Sequence, residues 1–362
     1  MFEAPAAARG RDPLAGKIPV TLLTGFLGAG KTTLISHLLR HPEMDRVAVV
    51  INEIGEIGID NDLVKMSSEN VSLLANGCLC CSVRTDLQET LRELFGERRA
   101  GLIPDFDRVI VETTGLADPA PVIQTLSGDS MVAAHYRLDG VVTLVDAVNA
   151  LTQLADSPEA ERQIALADRL FITKTDLSNA ASLESLKVAL RAINAQADIR
   201  TCFQGQVHPS ELVNIGLKSA RADAHTLVFL GERLVPQTAG EHSQGSERYL
   251  GASLPARHDP AVKTVSLRFD QPFTWSGFAA AMEMLLTLRG KDLLRVKGIV
   301  NVEGNPVVVQ GVGHVFHPPV QLDHWPSADT GSRLVFITRN IPAEVIKNLF
   351  QAAEALGEGA SS

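Results

Sequence analysis

The sequence predicts an α/β protein: a doubly wound domain on a parallel sheet, followed by a smaller α+β domain. Three observations predict it. Short runs dense in Val, Ile and Leu, with little alternation, recur over residues 17–220 between helix-like segments, as strands buried on both faces of a parallel sheet require. The first run leads directly into Gly25-Phe26-Leu27-Gly28-Ala29-Gly30-Lys31-Thr32, a G-x-x-x-x-G-K-T loop between a strand and a helix, which is the form of a P-loop. Past residue 260 the pattern changes to alternating strands with a hairpin turn.

The predicted strands of the first unit are Ile18–Thr24, Val47–Ile51, Val71–Leu74, Val109–Glu112, Val141–Val145 and Leu170–Thr173. Thr85-Asp86-Leu87-Gln88 has the form of a capping box ahead of Leu91, Leu94 and Phe95. Asp118-Pro119 reads as an N-cap with Pro at the first helical position, and Leu183–Ile193 has apolar residues at helical spacing. Residues 232–260 are rich in Gly, Ser, Pro, Gln, His and charge, and read as a linker or long surface loop. His225, His242 and His258 are too scattered to suggest a ligand set. In the second unit Val262–Phe269 alternates as a strand and Thr274–Leu288 has helical spacing. Leu293–Val302, Pro306–Val315 and Leu334–Ile337 read as strands, with Glu303-Gly304-Asn305 as a hairpin turn. Ile341–Leu356 closes the chain as a helix started by Pro342. The expected division is a flexible tail over 1–16, a P-loop domain over 17–231, a linker over 232–260 and an α+β domain over 261–362.

Composition narrows the function. The chain has 362 residues, 45% hydrophobic and 21% charged, which is ordinary for a soluble globular protein and enough for two domains. A net charge of −9 argues against a general binder of nucleic acid or anionic membrane. The sequence has no apolar stretch of transmembrane length. The first sixteen residues lack the apolar core of a secretory signal, so the expected location is the cytoplasm.

The loop 25–32 predicts nucleotide chemistry. Its backbone N–H groups would wrap a polyphosphate, and the helix that follows adds a favourable dipole. Gly25, Gly28 and Gly30, with Ala29 between the last two, stand where backbone crowds phosphate. Lys31 would reach the β and γ phosphates, and the Thr32 hydroxyl would bind Mg²⁺. The run Leu170–Ile172 ends in Thr173-Lys174-Thr175-Asp176, a T-K-x-D. P-loop GTPases carry N-K-x-D at this place. A carboxylate at Asp176 accepts from guanine N1–H and the exocyclic amine; adenine offers neither, so a site built around Asp176 discriminates strongly. Lys174 would lie along the base. Thr173 stands where Asn is usual, and its shorter side chain is expected to lose a tether within the site. The run from Asp107 to Gly115 is apolar, then acidic, as fits the strand running to an NTPase active site. Glu112 would bind Mg²⁺ through water or position the attacking water. Glu53 is the other candidate, and the sequence does not rank the two. Gly115 would let the backbone approach the γ-phosphate.

A second chemistry is suggested by Asn76-Gly77-Cys78-Leu79-Cys80-Cys81. Three of the four cysteines fall within four positions; the fourth is Cys202. In a reducing compartment such clustering points to metal or redox chemistry. Thiolates favour Zn²⁺ and other borderline or soft cations. With a tight turn at Gly77, Cys78, Cys80 and Cys81 can converge on one ion. The fourth ligand is Glu56, in the segment expected to be the first switch, or a water, or a partner's side chain. A thiol redox switch is the rival reading.

Taken together, GFLGAGKTT, NEIGEIGID, NGCLCC, VIVETTGLADP and TKTDL resemble the CobW-type GTPases, most closely their YjiA-like branch. LLRVKGIVNVEGNP, VVVQGVGHVF and LVFITRNI resemble that family's C-terminal domain. The resemblance implies a P-loop NTPase domain of the G3E GTPase type. It also implies a slow GTPase, converting GTP and water to GDP and phosphate, that binds Zn²⁺ or Co²⁺ and delivers it to a client metalloprotein. It makes Cys78, Cys80 and Cys81 metal ligands, and Gly28, Gly30, Lys31, Thr32 and Thr33 phosphate contacts. Glu112 belongs to the Mg²⁺ and water site, and Lys174 with Asp176 reads the base. Some relatives carry an acidic residue just before the Asn-Glu pair; here that position is Ile51, so a metal site using that carboxylate is not available. The family's long histidine-rich tract is also missing, which argues against metal storage. A homodimer is left open. Two rival functions remain: a GTP-controlled assembly factor whose cysteines sense redox state, and a GTP-binding adaptor without useful turnover.

Overall fold

The computed structural model describes residues 12–52, 64–66, 71–74, 79–82, 87–222, 224–230 and 262–358. Glu53, Glu56, Cys78, the capping-box residues Thr85 and Asp86, and the expected linker 232–260 lie outside the described residues. In chain order the first unit runs β1 (Ile18–Gly25), α1 (Lys31–Leu38), β2 (Val47–Asn52), β3 (Val64–Met66), β4 (Val71–Leu74), β5 (Leu79–Ser82), α2 (Leu87–Ala100), β6 (Arg108–Thr113), α3 (Ala120–Gly128), α4 (Ser130–His135), β7 (Tyr136–Asp146), α5 (Ala150–Asp156), α6 (Pro158–Ala165), β8 (Arg169–Thr173), α7 (Ala180–Ile193), β9 (Asp198–Thr201) and α8 (Ala224–Phe229).

Runs without polar alternation must be covered on both faces, and β1 is buried at every position. The sheet order is β3-β4-β5-β2-β6-β1-β7-β8-β9. From β5 to β9 in that order the strands are parallel, while β3 and β4 extend the sheet antiparallel. The run Val71–Leu74 is therefore a strand, as expected, but an antiparallel one. The strands not anticipated are β3, β5 and β9. β9 reads Asp-Ile-Arg-Thr and is partly exposed along its length, so an edge strand there leaves no apolar run to find.

Neighbouring residues of one strand enter opposite cores, as a period of two dictates. Leu22, Val50 and Val111 pack with Leu91, Ile123 and Leu126 of α2 and α3. Leu23, Val49 and Ile110 pack with Leu34 and Leu38 of α1. The Asp118 carboxylate accepts the Ala120 N–H at 2.9 Å, so Asp118-Pro119 opens α3 as predicted, with the helix beginning one residue later.

The second unit comprises β10 (Val262–Phe269), α9 (Trp275–Arg289), β11 (Leu293–Val302), β12 (Asn305–Val312), β13 (Val315–Phe316), β14 (Val320–Gln321), β15 (Ser332–Arg339) and α10 (Ala343–Glu358). Its sheet runs β10-β15-β11-β12-β13, with β14 beside β12, all antiparallel. Phe278, Met282, Ile346 and Phe350 of the two helices pack against Val296, Val300 and Phe336. Glu303 and Gly304 take φ of 52° and 89°, the conformation a two-residue hairpin turn needs. The expected single strand Pro306–Val315 is two strands, β12 and β13, because the chain reverses at Gly313 and the pair Val312–Val315 closes the turn. No described helix is long and apolar enough to cross a membrane.

A buried ionic cluster joins the two units. Arg295 and Lys297 of β11 donate to Asp168 Oδ1 at 2.7 and 2.9 Å, and the Val141 N–H donates to Oδ2 at 3.0 Å. All three charged side chains are 10% exposed or less. Burial alone would raise the Asp168 carboxyl, but Arg295 and Lys297 overcome it and hold the group well below the usual carboxylate range. Burial pushes Lys297 down to about 8, against the attraction of Asp168. A cavity of about 350 Å³ adjoins the cluster, lined by Arg169, Asp198, Arg200 and Glu211 among others. It lies at the amino end of β8, one strand length from the P-loop edge, and its charges pair with one another: Arg169 and Arg200 with Asp198, and Arg200 with Glu211.

Candidate active site

Parallel strands bring their carboxyl ends to one edge, where ligands of open α/β sheets bind. At that edge β1 delivers the loop 25–30, β6 delivers Glu112–Gly115, β7 delivers Asp146 and β8 delivers Thr173–Asp176.

Gly30 stands at the N-cap of α1 with φ 94° and ψ 20°, a left-handed conformation open to glycine without strain. A side chain at Gly28 or Gly30 would meet nothing within 4 Å, so the loop is open on the face these residues present. Lys31 is 8% exposed, and its Nζ donates to the Gly25 and Phe26 carbonyls at 2.8 and 3.4 Å. The ammonium is thus folded over the loop. Ala29 is buried, whereas Thr32 and Thr33 in the first turn of α1 are exposed.

Glu112 is 2% exposed and stands in register with Leu23 of β1 and Ile51 of β2. The next side chain ties the two strand ends together: Thr113 Oγ1 donates to Thr24 Oγ1 at 2.8 Å. Gly115 lies directly on the P-loop. A Cβ there would sit 2.8 Å from Leu27 N and 2.9 Å from Leu27 Cα, so a side chain would force the two loops apart.

The segment after β8 begins at Lys174, with φ 54°, and turns through Thr175–Leu177 with Asp176 exposed. Thr173 Oγ1 donates to the Ala29 carbonyl at 2.9 Å. The tether expected to be lost with Thr at this position is therefore present, because the carboxyl end of β8 comes close enough to the P-loop for a short buried hydroxyl to reach it.

Sequence reading passed over Asp146. It is 1% exposed and accepts from Lys174 Nζ at 2.8 Å, from the Val148 N–H at 2.8 Å and from Asn149 Nδ2 at 2.9 Å. Burial would raise its carboxyl; the bonds from Lys174, Asn149 and Val148 outweigh that and hold it below the usual range. Its effect is to aim Lys174. The available signal was position: Asp146 ends an apolar run, as Glu112 does.

Cys80 and Cys81 occupy consecutive positions of β5, in register with Val49 and Val50 of β2. Cys78, Glu53 and Glu56 lie outside the described residues, and among the described residues no three His, Cys, Asp or Glu side chains gather to hold a metal. Cys202 is a separate, buried free thiol, which burial pushes up in pKa.

The family model for the CobW/HypB/UreG nucleotide-binding domain matches residues 19–201, from β1 to the end of β9. The chain belongs to the CobW/HypB/UreG family. A second family model, the cobalamin synthesis protein cobW C-terminal domain, matches residues 262–354. The CobW-family chain is 35% identical over 335 residues to the zinc chaperone YjiA of Escherichia coli (strain K12), covering 92% of this chain and 98% of that protein. It is 30% identical over 380 residues to the zinc chaperone CobW of Pseudomonas aeruginosa, covering 94% and 92%. The crystal structure of the Zn(II)-bound YjiA GTPase from E. coli superposes with a TM-score of 0.71 at 33% identity, covering 93% of this chain and 99% of that one. The first unit is thus a P-loop GTPase domain, and the second is a CobW-type C-terminal α+β domain.

Proposed function

We propose that this chain is a GTP-hydrolysing zinc metallochaperone. It takes Zn²⁺ on Cys78-x-Cys80-Cys81 and passes it to a client metalloprotein under nucleotide control. GTP, Mg²⁺ and Zn²⁺ are its ligands, with Co²⁺ the second candidate cargo. The observation that carries the reading is the convergence of the P-loop, Glu112–Gly115 and Lys174–Asp176 on one sheet edge, in a chain 35% identical to a zinc chaperone. In this reading residues 17–231 form the working GTPase domain and 261–362 a client or regulatory domain. Gly25, Gly28, Ala29, Gly30, Lys31 and Thr33 hold the phosphates. Thr32, exposed at the start of α1, and Glu112, at the end of β6 beside β1, are a hydroxyl and a carboxylate suited to Mg²⁺. Glu112 or Glu53 directs the attacking water. Thr173, Lys174 and Asp176 form the guanine site.

Base choice is tested at Asp176. Asp176→Asn removes a charge-assisted acceptor of two hydrogen bonds, so GTP affinity is expected to fall by roughly 100-fold, with ATP affinity nearly unchanged. Competition binding measures both. A wild-type preference for GTP over ATP in the variant would take Asp176 out of the guanine site.

Metal control has a short physical path. β5, which carries Cys80 and Cys81, pairs with β2, and β2 pairs with β6, which carries Glu112. A γ-phosphate and its Mg²⁺ order segments that relax after hydrolysis, and Glu56 would approach or leave the thiolates with them. Zn²⁺ is therefore expected to bind about 5–150-fold more tightly with Mg·GTP than with GDP, and linkage requires zinc to tighten GTP by the same factor. Cys80→Ala is expected to weaken the thiolate absorption of bound Co²⁺ and to uncouple the two ligands, with GTP binding retained. Equal metal affinity in both nucleotide states would end the delivery mechanism. Failure to keep one Zn²⁺ per chain with GTP present would favour the redox-sensing assembly factor.

A further inference from the structure

We infer that Gln163 is a positioning residue for GTP hydrolysis, fixing the loop after Glu112 against the P-loop through its side-chain amide. The inference rests on the reading above, in which this loop faces the γ-phosphate. Gln163 lies in α6 and is 1% exposed. Its Nε2 donates to the Gly115 carbonyl at 3.1 Å and to the Ala117 carbonyl at 3.0 Å, so both amide protons are spent on one loop. Its own backbone carbonyl accepts Thr143 Oγ1 at 2.9 Å, which pins this turn of α6 to β7.

The residue type fits the task. Two carbonyls on one loop, bonded in a buried and a part-buried contact, require two donors, and an ammonium or guanidinium would bring a charge beside the buried Gln163 position. A primary amide supplies both donors and stays neutral. The loop it holds has little slack, since Gly115 is pressed on Leu27 of the P-loop. The adjacent Arg162 pairs with Asp118 at 2.9 Å, at the far end of the same loop. Glu161, one residue earlier, pairs with Arg339 of the C-terminal sheet at 3.1 Å. One turn of α6 thus grips the hydrolytic loop on one side and the second domain on the other. Gln163 acts through Gly115 and Ala117, so its loss should appear in turnover and not in nucleotide retention.

The experiment uses the full chain with steady-state phosphate release and fluorescent-GDP binding. Gln163→Leu keeps the bulk and removes both donors; kcat is expected to fall ~10–100-fold, the usual result of misplacing a reacting group by an ångström, with GDP affinity within about twofold. Gln163→Glu places a carboxylate against two carbonyls, and burial there raises its pKa. Once protonated it donates one bond, so its kcat relative to wild type is expected to recover as pH falls from about 8 to about 6. This pH response tests the inference even if the leucine variant does not fold. Wild-type kcat in Gln163→Leu, an equal loss of kcat and GDP affinity, or a flat pH ratio in Gln163→Glu would overturn it. Gly115→Ala separates the two levels. If it abolishes turnover while Gln163→Leu does not, only the positioning role fails; if both leave kcat unchanged, the loop's role at the γ-phosphate fails with it.

Discussion

Lys31→Ala is expected to lower kcat for GTP by roughly 10²–10³-fold or more, the cost of removing a donor aimed at developing charge in a dry site. Lys31 is buried to 8% exposure and sits over its own loop, donating to the Gly25 and Phe26 carbonyls. A polyphosphate in that loop offers the ammonium much stronger acceptors, bridging the β and γ positions where charge builds during transfer. Alanine leaves the backbone path of the loop intact, because Gly30 and the first turn of α1 set it. Circular dichroism and thermal unfolding should therefore match wild type. Lys31→Arg is not expected to rescue turnover, since a planar guanidinium does not replace a compact ammonium inside a tight loop. Phosphate release from equal amounts of folded protein decides the matter. A wild-type rate in Lys31→Ala would place the activity outside this loop.

The largest stability effect is expected at Asp168, far from the chemistry. Asp168→Ala leaves Arg295 and Lys297 buried side by side without their anion, and breaking a buried pair in this way costs about 3–5 kcal/mol. The acid limb of the stability curve should change too. Because the Asp168 carboxyl is depressed in the folded protein, its contribution is complete above the ordinary carboxylate value of about 3.9 and is lost as pH falls through the lower folded value. In that window the unfolded chain binds more protons than the folded one, so acid destabilises wild type and leaves this component absent from the variant. Denaturant unfolding across acidic pH measures both effects. Replacing Arg295 and Lys297 with Met in the Asp168→Ala background should restore much of the loss, since no buried charge then remains unpaired. GTP affinity should be spared, because Asp168 precedes β8 at its amino end while the nucleotide loops lie at the other. A loss below about 1 kcal/mol would show that solvent reaches the cluster.

Lys31 and Asp168 meet their partners by different routes in the chain, and that difference governs what could be read in advance. Lys31 belongs to a motif whose parts are contiguous: strand, glycines, lysine, helix. The chemistry of such a loop is carried by backbone amides and one cation within eight residues, so sequence order and spatial order coincide. The same holds for Thr173-Lys174-Thr175-Asp176 at the end of β8, for the Asp118 cap of α3 and for the Glu303-Gly304 turn. Strands β1, β2, β6 and β8 were legible because burial on both faces demands uninterrupted apolar runs. By itself, then, the sequence determined the P-loop fold and the order along the chain of the loops at its carboxyl edge.

The tertiary structure alone decided which distant polar groups meet. Asp146 and Lys174 lie 28 residues apart, Gln163 and Gly115 lie 48 apart, and Asp168 and Arg295 lie 127 apart. It also placed β3 and β4 antiparallel at one end of the sheet and the charged β9 at the other, and it returned the Thr173 hydroxyl to the P-loop carbonyl. The physical reason is common to all of these. A polar side chain is content with any partner of matching chemistry, water included, so local spacing does not name its mate. Strand order and interdomain packing bring the partners together, and once water is excluded the bond becomes obligatory because an unpaired buried group costs about 1–3 kcal/mol.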